Sequence, residues 1–306
     1  MTEIPGSNDK EKQLPLRKAL LIIALTTLLI TGSCYAGLLY IQHMRDNQRN
    51  DPAYDIVALV QTSPHVQGVK TAYLVELLGL SIDRPTNLFR FSSSEATDKI
   101  LKSPVIKQAK VRKIRPGTIH VDYELRKPIA YLGDYINTAV DESGVIFPFK
   151  PFYTPKHLPE IRLGDHGLKN EGGIQWGDRI EGASKDLAFR LLEEVPAVLD
   201  NGMVLLGVDV SNAYAPGEGK REIILRLEER TTRVVGDRSV QCIYPSIIRL
   251  KPEGYQEQLA HLLKLREYLR YHQKNEAVDS PGLVWKSKTV IMDMRLSELA
   301  FFSEEP

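Results

Sequence analysis

The longest hydrophobic feature of the chain comes first. From Ala19 to Ile41 the sequence reads ALLIIALTTLLITGSCYAGLLYI, 23 residues without a charge. As a helix rising 1.5 Å per residue this run is about 34 Å long, enough to cross a bilayer. Gly32-Ser33-Cys34 and Tyr35-Ala36-Gly37 offer the small residues of a signal-peptide or lipoprotein cleavage site. However, the run outlasts the roughly 7 to 15 residues of a signal h-region, and Thr31 stands where a lipidated Cys is preceded by Leu. The pattern predicts an uncleaved transmembrane helix at 19–41. Lys10, Lys12, Arg17 and Lys18 precede it, and only Arg45 and Arg49 follow closely. The positive-inside bias therefore makes 1–18 a cytoplasmic tail and exports the chain from Gln42 onward. No second run of this kind follows, so the chain reads as single-pass.

After the anchor the patterns shorten. Residues 42–53 are charged and helix-compatible, a stalk, and Tyr54–Val60 is an apolar run of strand length. Leu74, Leu77 and Leu78 repeat at helix spacing before Gly79, and Ser92 with Glu95 forms a capping-box start for a second helix to about Lys102. Val105–Ile114 reads as a strand, Arg115-Pro116-Gly117-Thr118 as a type II turn, and Ile119–Leu125 as the returning strand. In that strand Ile119, Val121, Tyr123 and Leu125 share one face and His120, Asp122 and Glu124 the other, the signature of a sheet covered on one side. The order β-α-α-β-β predicts a small α+β module at 54–126.

The remainder, 127–302, reads as a mixed or antiparallel sheet with two flanking helices, followed by a tail at 303–306. Asp141 and Gly144 suit a tight hairpin loop. Ser184, Leu187, Ala188, Leu191, Leu192 and Val195 follow helix spacing, as do Leu259, Leu262, Leu263 and Leu269 within 254–272. Strands are expected at Val204–Ser211, Glu222–Glu228 and Lys288–Leu296. In the last of these Val290, Met292, Met294 and Leu296 share a face. The fold class is α+β, not a doubly wound nucleotide fold.

Composition narrows the function. Forty Lys+Arg against 39 Asp+Glu leave a net charge of +1 with no long basic run, which argues against a nucleic-acid binder. The two cysteines, Cys34 and Cys242, have no neighbours at metal or redox spacing. There is no phosphate loop, nucleophile elbow or His-Glu-x-x-His pair. Ser7 to Lys10 matches Ser-x-x-Lys by chance, in the cytoplasmic tail. His157, Asp165 and His166 share a Pro/Gly-rich loop and read as surface polar residues, as do Asp178, Glu193 and Glu194. No catalytic, metal or cofactor site is identifiable, and no enzyme is expected.

A family resemblance is carried by longer strings. LKSPVIKQAKVRKIRPGTIHV at 101–121, followed by Glu124-Leu-Arg126-Lys-Pro128-Ile-Ala130, resembles the POTRA domain of the FtsQ/DivIB bacterial cell-division proteins. Asn87-Leu88-Phe89 is similar to that family's loop between the two POTRA helices, Ala139–Phe147 to the hairpin opening its β domain, and Leu158–Ile161 to its next loop. The chain departs from the family at Gln61-Thr62-Ser63-Pro64, where a Gly is usual, at Lys251-Pro252, and at Val234–Tyr244, which reads as an insertion. The resemblance implies a non-enzymatic divisome protein of the bacterial inner membrane, with anchor, POTRA domain and β domain in that order. It acts by contacts outside the cytoplasm and helps control septal peptidoglycan synthesis. Implied partners are small bitopic coiled-coil division proteins of the FtsB/FtsL type and other divisome membrane proteins, with no cofactor. The exposed POTRA helix face and second strand are expected to meet upstream proteins. Arg295, Leu299, Ala300, Phe301 and Phe302, near the last strand, are the expected site for the coiled-coil proteins by strand addition. The runner-up implied by a POTRA domain is polypeptide transport or outer-membrane assembly; an anchored hydrolase with an unfamiliar site is a third reading.

Overall fold

The computed structural model describes residues 16–64, 68–164, 174–199, 202–235, 238–274, 284–296 and 299–304. Helix α1, Leu16–Asn50, contains the whole apolar run and continues through the charged stretch behind it. At 35 residues it is about 52 Å long. Its few polar side chains bring their own acceptors: Thr26, Thr27 and Thr31 donate to carbonyls one turn back, at 2.9, 2.8 and 2.8 Å. Among the described residues it is the one helix long and apolar enough to cross a membrane.

Next come β1 (Ala58–Thr62), α2 (Thr71–Leu78), α3 (Ser93–Leu101), β2 (Ile106–Ile114) and β3 (Thr118–Leu125), with the sheet order β1-β3-β2. The β-α-α-β-β order expected from the pattern is present. Gly79 ends α2 at φ 67°, and the Ser92 hydroxyl accepts from Glu95 N at 3.3 Å to start α3. In β3 Ile119, Val121, Tyr123 and Leu125 are buried, and the residues between them are half-buried.

Two local expectations are corrected. The first strand begins at Ala58, not Tyr54, because Asp51 accepts from Ala53 N at 2.9 Å and starts a 3-10 turn over Pro52–Tyr54. The turn at 115–118 is not type II, because Gly117 lacks the positive φ such a turn requires. Gly117 answers to space instead, since a Cβ there would lie 2.1 Å from Asp55 O.

The remaining strands build one mixed sheet. Its strands are β4 (Pro128–Leu132), β5 (Thr138–Asp141), β6 (Ile146–Pro148), β7 (Glu160–Arg162), β8 (Met203–Asp209), β9 (Ile223–Val235), β10 (Arg238–Leu250), β11 (Val284–Lys286), β12 (Val290–Asp293) and β13 (Phe301–Glu304). The order is β13-β12-β10-β9-β8-β7-β4-β5-β6, with β11 also on β10. Parallel neighbours need a long crossover; the β5–β6 hairpin lies within the one from β4 to β7, and the two helices supply the others. Helix α4 (Ala183–Val198) joins β7 to its parallel neighbour β8, and α5 (Tyr255–Lys274) lies between β10 and its parallel neighbours β11 and β12. Leu187, Ala188, Leu191 and Val195 of α4 and Leu259 and Leu262 of α5 bury their apolar stripes in one core with Leu225, Ile248 and Met292. The side chains of Leu263 and Leu269 lie outside the described residues. Glu194 is no mere wet-face residue: its carboxylate accepts from Tyr255 OH at 2.7 Å and ties α4 to α5.

The segment read as an insertion is the outer half of a hairpin of two 13-residue strands, paired from Ile223↔Leu250 to Val235↔Arg238. The strand expected at Lys288–Leu296 stops at Asp293, and Leu296 is exposed. The hairpin at 141–144 serves backbone geometry as expected. Gly144 has φ 82°, and Asp141 accepts from Ser143 N, Ser143 Oγ and Val145 N. Asp141 also receives Arg126 Nη1 at 2.8 Å, while Arg126 Nε donates to Pro104 O.

By density of contacts the chain divides into two units, 1–60 with 79–96 and 111–120, and 61–78 with 97–110 and 121–306. The first buries Leu88, Ala96, Val111 and Ile119; the second holds α4, α5 and the large sheet.

Two outcomes follow for stability. Val121→Ala, at a fully buried position, should cost about 2 kcal/mol in denaturant unfolding, whereas Lys110→Glu on an exposed position should change it by less than about 0.5 kcal/mol. Burial raises the Asp141 carboxyl, but hydrogen bonds from Ser143, Arg126 and Val145 and the Arg126 charge outweigh it and hold it below the usual range. Its stabilisation is therefore complete above the ordinary carboxylate value and is lost as pH falls through the depressed one. Asp141→Asn, which strands Arg126, should cost about 3 kcal/mol at pH 7, and the gap to the parent protein should shrink below about pH 4.

Candidate functional site

The two borders of the large sheet are finished differently. At the β6 border the segment 175–180 covers the strand: Ile146 N donates to Asp178 O at 3.0 Å and Gly177 N to Ile146 O at 2.8 Å, with a bridge between Val145 and Arg179. At the opposite border β13 pairs antiparallel with β12, from Asp293↔Phe301 to Val290↔Glu304. Among the described residues no strand lies beyond it. All four residues of β13 are exposed, Phe301 at 55 % and Phe302 at 39 %. These two aromatics therefore do not close the protein's own core. Ala300, just before them, does pack against the core.

Arg295 lies where the chain leaves β12, inside a square of four charges contributed by three neighbouring strand ends. Its Nη2 is 2.7 Å from Asp293 Oδ2, and its Nη1 is 3.5 Å from Glu222 Oε2. Arg249 holds the other two sides, 2.6 Å from Glu222 Oε2 and 3.4 Å from Asp293 Oδ2. Burial raises the Asp293 carboxyl, but the hydrogen bonds and charge of Arg295, with the charge of Arg249, hold it below the usual range. The Arg295 guanidinium is raised, first by its bond to Asp293. The square is neutral, and it fixes the end of β12 against β10 and the start of β9.

Beside the square lies a groove of about 710 Å³, open along one side of α5. Arg295, Leu296, Leu299 and Ala300 line one wall and Glu257 and His261 the other. Leu296 and Leu299 are each 58 % exposed. The structure thus brings three of the five expected residues, Arg295, Leu299 and Ala300, to the groove, and the other two, Phe301 and Phe302, follow on β13. Leu296 and the groove wall on α5 were not foreseen. The alternation groups Leu296 on one face with Val290, Met292 and Met294, but the strand ends at Asp293 and Leu296 is exposed while Met292 and Met294 are buried.

In the smaller sheet β2 is likewise a border strand. It carries Lys107, Lys110, Arg112 and Lys113, with Lys107 Nζ 3.2 Å from Glu142 Oε1 at an exposed position. His157 is exposed; Asp165 and His166 lie outside the described residues. Among the described residues no group of three or more His, Cys, Asp and Glu is placed to hold a metal ion.

Residues 66–122, which take in α2, α3, β2 and most of β3, match the family described as POTRA domain, FtsQ-type. The chain carries an FtsQ-type POTRA domain. Behind an apolar helix of membrane-spanning length, this domain is what the FtsQ/DivIB resemblance implied. The match covers the small module and stops before the large sheet. No curated protein matches the chain.

The exposed border residues should be separable from the fold. Phe301→Ala and Phe302→Ala should each change unfolding free energy by less than about 0.5 kcal/mol. Arg295→Ala removes a charge-assisted partner of Asp293 and should cost about 1 to 2 kcal/mol. A loss above about 2 kcal/mol at either phenylalanine, measured by denaturant unfolding, would return that residue to the core.

Proposed function

We propose that this is a non-enzymatic, single-pass protein of the bacterial division machinery that links early and late division proteins through contacts outside the cytoplasm. The observation that carries the reading is the FtsQ-type POTRA domain standing directly behind an apolar helix of spanning length. In this reading α1 anchors the protein in the inner membrane with its N-terminus in the cytoplasm, as the cluster Lys10, Lys12, Arg17 and Lys18 favours. The POTRA domain receives upstream division proteins along β2 and the exposed helix face. The β13 border receives a segment of the small bitopic coiled-coil proteins of FtsB/FtsL type, and both contacts feed into control of septal peptidoglycan synthesis.

The border chemistry supports strand addition. A short, exposed border strand is an edge that a partner strand can extend, and the opposite border is already covered by 175–180. Phe301, Phe302 and Leu299 supply apolar area for an incoming segment, and aromatic residues with Arg dominate interface energetics. Arg295 is satisfied by Asp293 and Glu222 within the protein, so an acidic partner residue would join the square instead of meeting an isolated cation.

A fluorescent fusion should form a midcell band, and protease applied outside the inner membrane should digest everything beyond α1. In crosslinked capture of coiled-coil division proteins, Phe301→Ala or Phe302→Ala should lower the yield at least fivefold at unchanged melting temperature. An outer-membrane pattern would support the transport reading instead, an even rim would remove the division-site claim, and undiminished capture would move the contact away from β13.

A further inference from the structure

The carbonyl end of α1 is closed by a residue far along the chain. A helix leaves its last four C=O groups without intrahelical donors. Asn87 Nδ2 donates to Gln48 O at 3.1 Å and to Asp51 O at 3.0 Å, while its Oδ1 accepts from Phe89 N at 2.9 Å. Both amide hydrogens and the oxygen are thus engaged, and Asn87 is 5 % exposed. Arg90 Nη2 adds a bond to the Asn50 side chain.

The segment leading from the helix into the POTRA domain has no slack either. Leu88 N donates to Tyr54 O at 2.8 Å, Ile56 N to Thr86 O at 3.0 Å, and Val57 N and Ala58 N to Gly117 O at 2.9 and 3.3 Å. Phe89 meets Tyr54 edge-on with ring centres 5.0 Å apart, and the Arg115 guanidinium lies 5.3 Å from the Phe89 centre. All these residues belong to the first unit.

We propose that α1 and the 51–58, 86–90 and 115–117 segments form one rigid lever with Asn87 as its positioning residue. The lever holds the base of the POTRA domain at a fixed level and heading above the bilayer. The apolar run ends at Ile41 and α1 continues to Asn50, nine residues further and about 14 Å along the axis. An extended linker of that length would sweep a wide volume; a capped helix gives one position. Contacts made by the β2–β3 turn, with Arg112, Lys113 and Arg115, therefore occur within one thin layer. That layer suits a partner tethered in the same membrane. The inference rests on the anchor reading of α1 and on the recruitment proposed above.

The test uses the full chain in lipid nanodiscs, with Cys34→Ser as background and nitroxides at Gln42→Cys on α1 and at the exposed Ile82→Cys. Pulsed electron spin resonance should give a narrow distance distribution. Asn87→Asp keeps the acceptor for Phe89 N and removes both donors, so it should at least double the distribution width with the POTRA melting temperature unchanged. It should also lower crosslinked capture of upstream division proteins at least threefold. If Asn87→Asp lowers the melting temperature, two glycines inserted between Asn50 and Asp51 leave Asn87 in place and should give the same broadening. A broad distribution in the parent protein, or an equally narrow one in either variant, overturns the lever. Broadening with undiminished capture overturns its role in recruitment. Failure of the parent protein to capture any division protein while the distribution stays narrow would sink the proposed function and leave the lever standing.

Discussion

Backbone hydrogen-bonding groups at the borders of regular structure have to be satisfied, and this molecule is organised by how each border is closed. Helix α1 ends on carbonyls that Asn87 completes from 36 to 39 residues away. The β6 border is covered by 175–180. The β13 border carries four exposed residues and, among the described strands, a neighbour on one side only. An unmade hydrogen bond in a buried setting costs about 1 to 3 kcal/mol, while one facing water costs little. The closed borders thus fix the architecture, and the exposed one is the border proposed above to receive a partner.

Charge follows the same logic. Asp141 takes three bonds from its own hairpin and one from Arg126, and the square of Glu222, Arg249, Asp293 and Arg295 joins three neighbouring strand ends. In both places an aspartate, Asp141 or Asp293, is held below the usual carboxylate range, largely by hydrogen bonds and guanidinium charge that outweigh its burial, in positions where a lone charge would be expensive. Neither arrangement resembles an acid/base pair with shifted, opposed proton affinities. The square instead pins the end of β12 beside the border proposed for contact, and Asp141 pins the β5–β6 hairpin.

What the sequence revealed followed the range of the interactions involved. The α1 run, the α2 and α3 boundaries and the inward face of β3 were legible because periodicity and capping act within a few residues. The α4 and α5 stripes were legible for the same reason. The outer half of the β9–β10 hairpin was not: Glu229, Arg230, Thr231 and Thr232 mix charge and polarity on both faces, and only the pairing with β10 shows them to be strand. Gly117 was read as a turn glycine although its constraint is the approach of Asp55 O. Of the candidate border, Phe301 and Phe302 were legible as an exposed end, whereas Leu296 and the internal partners of Arg295 depend on where β12 stops. Asn87 gave no local hint of its task, since both carbonyls it serves belong to α1 and its C-terminal exit.

Amide hydrogen exchange on the full-length protein in nanodiscs, with and without a captured coiled-coil division protein, tests the border account most directly. It predicts slow exchange at Ile56, Leu88 and Ile146 in the free protein, and fast exchange across Phe301–Glu304 that slows at least tenfold when the partner is present. Slow exchange at 301–304 without the partner, or no change on adding it, would contradict the claim that this border is left for a partner to complete.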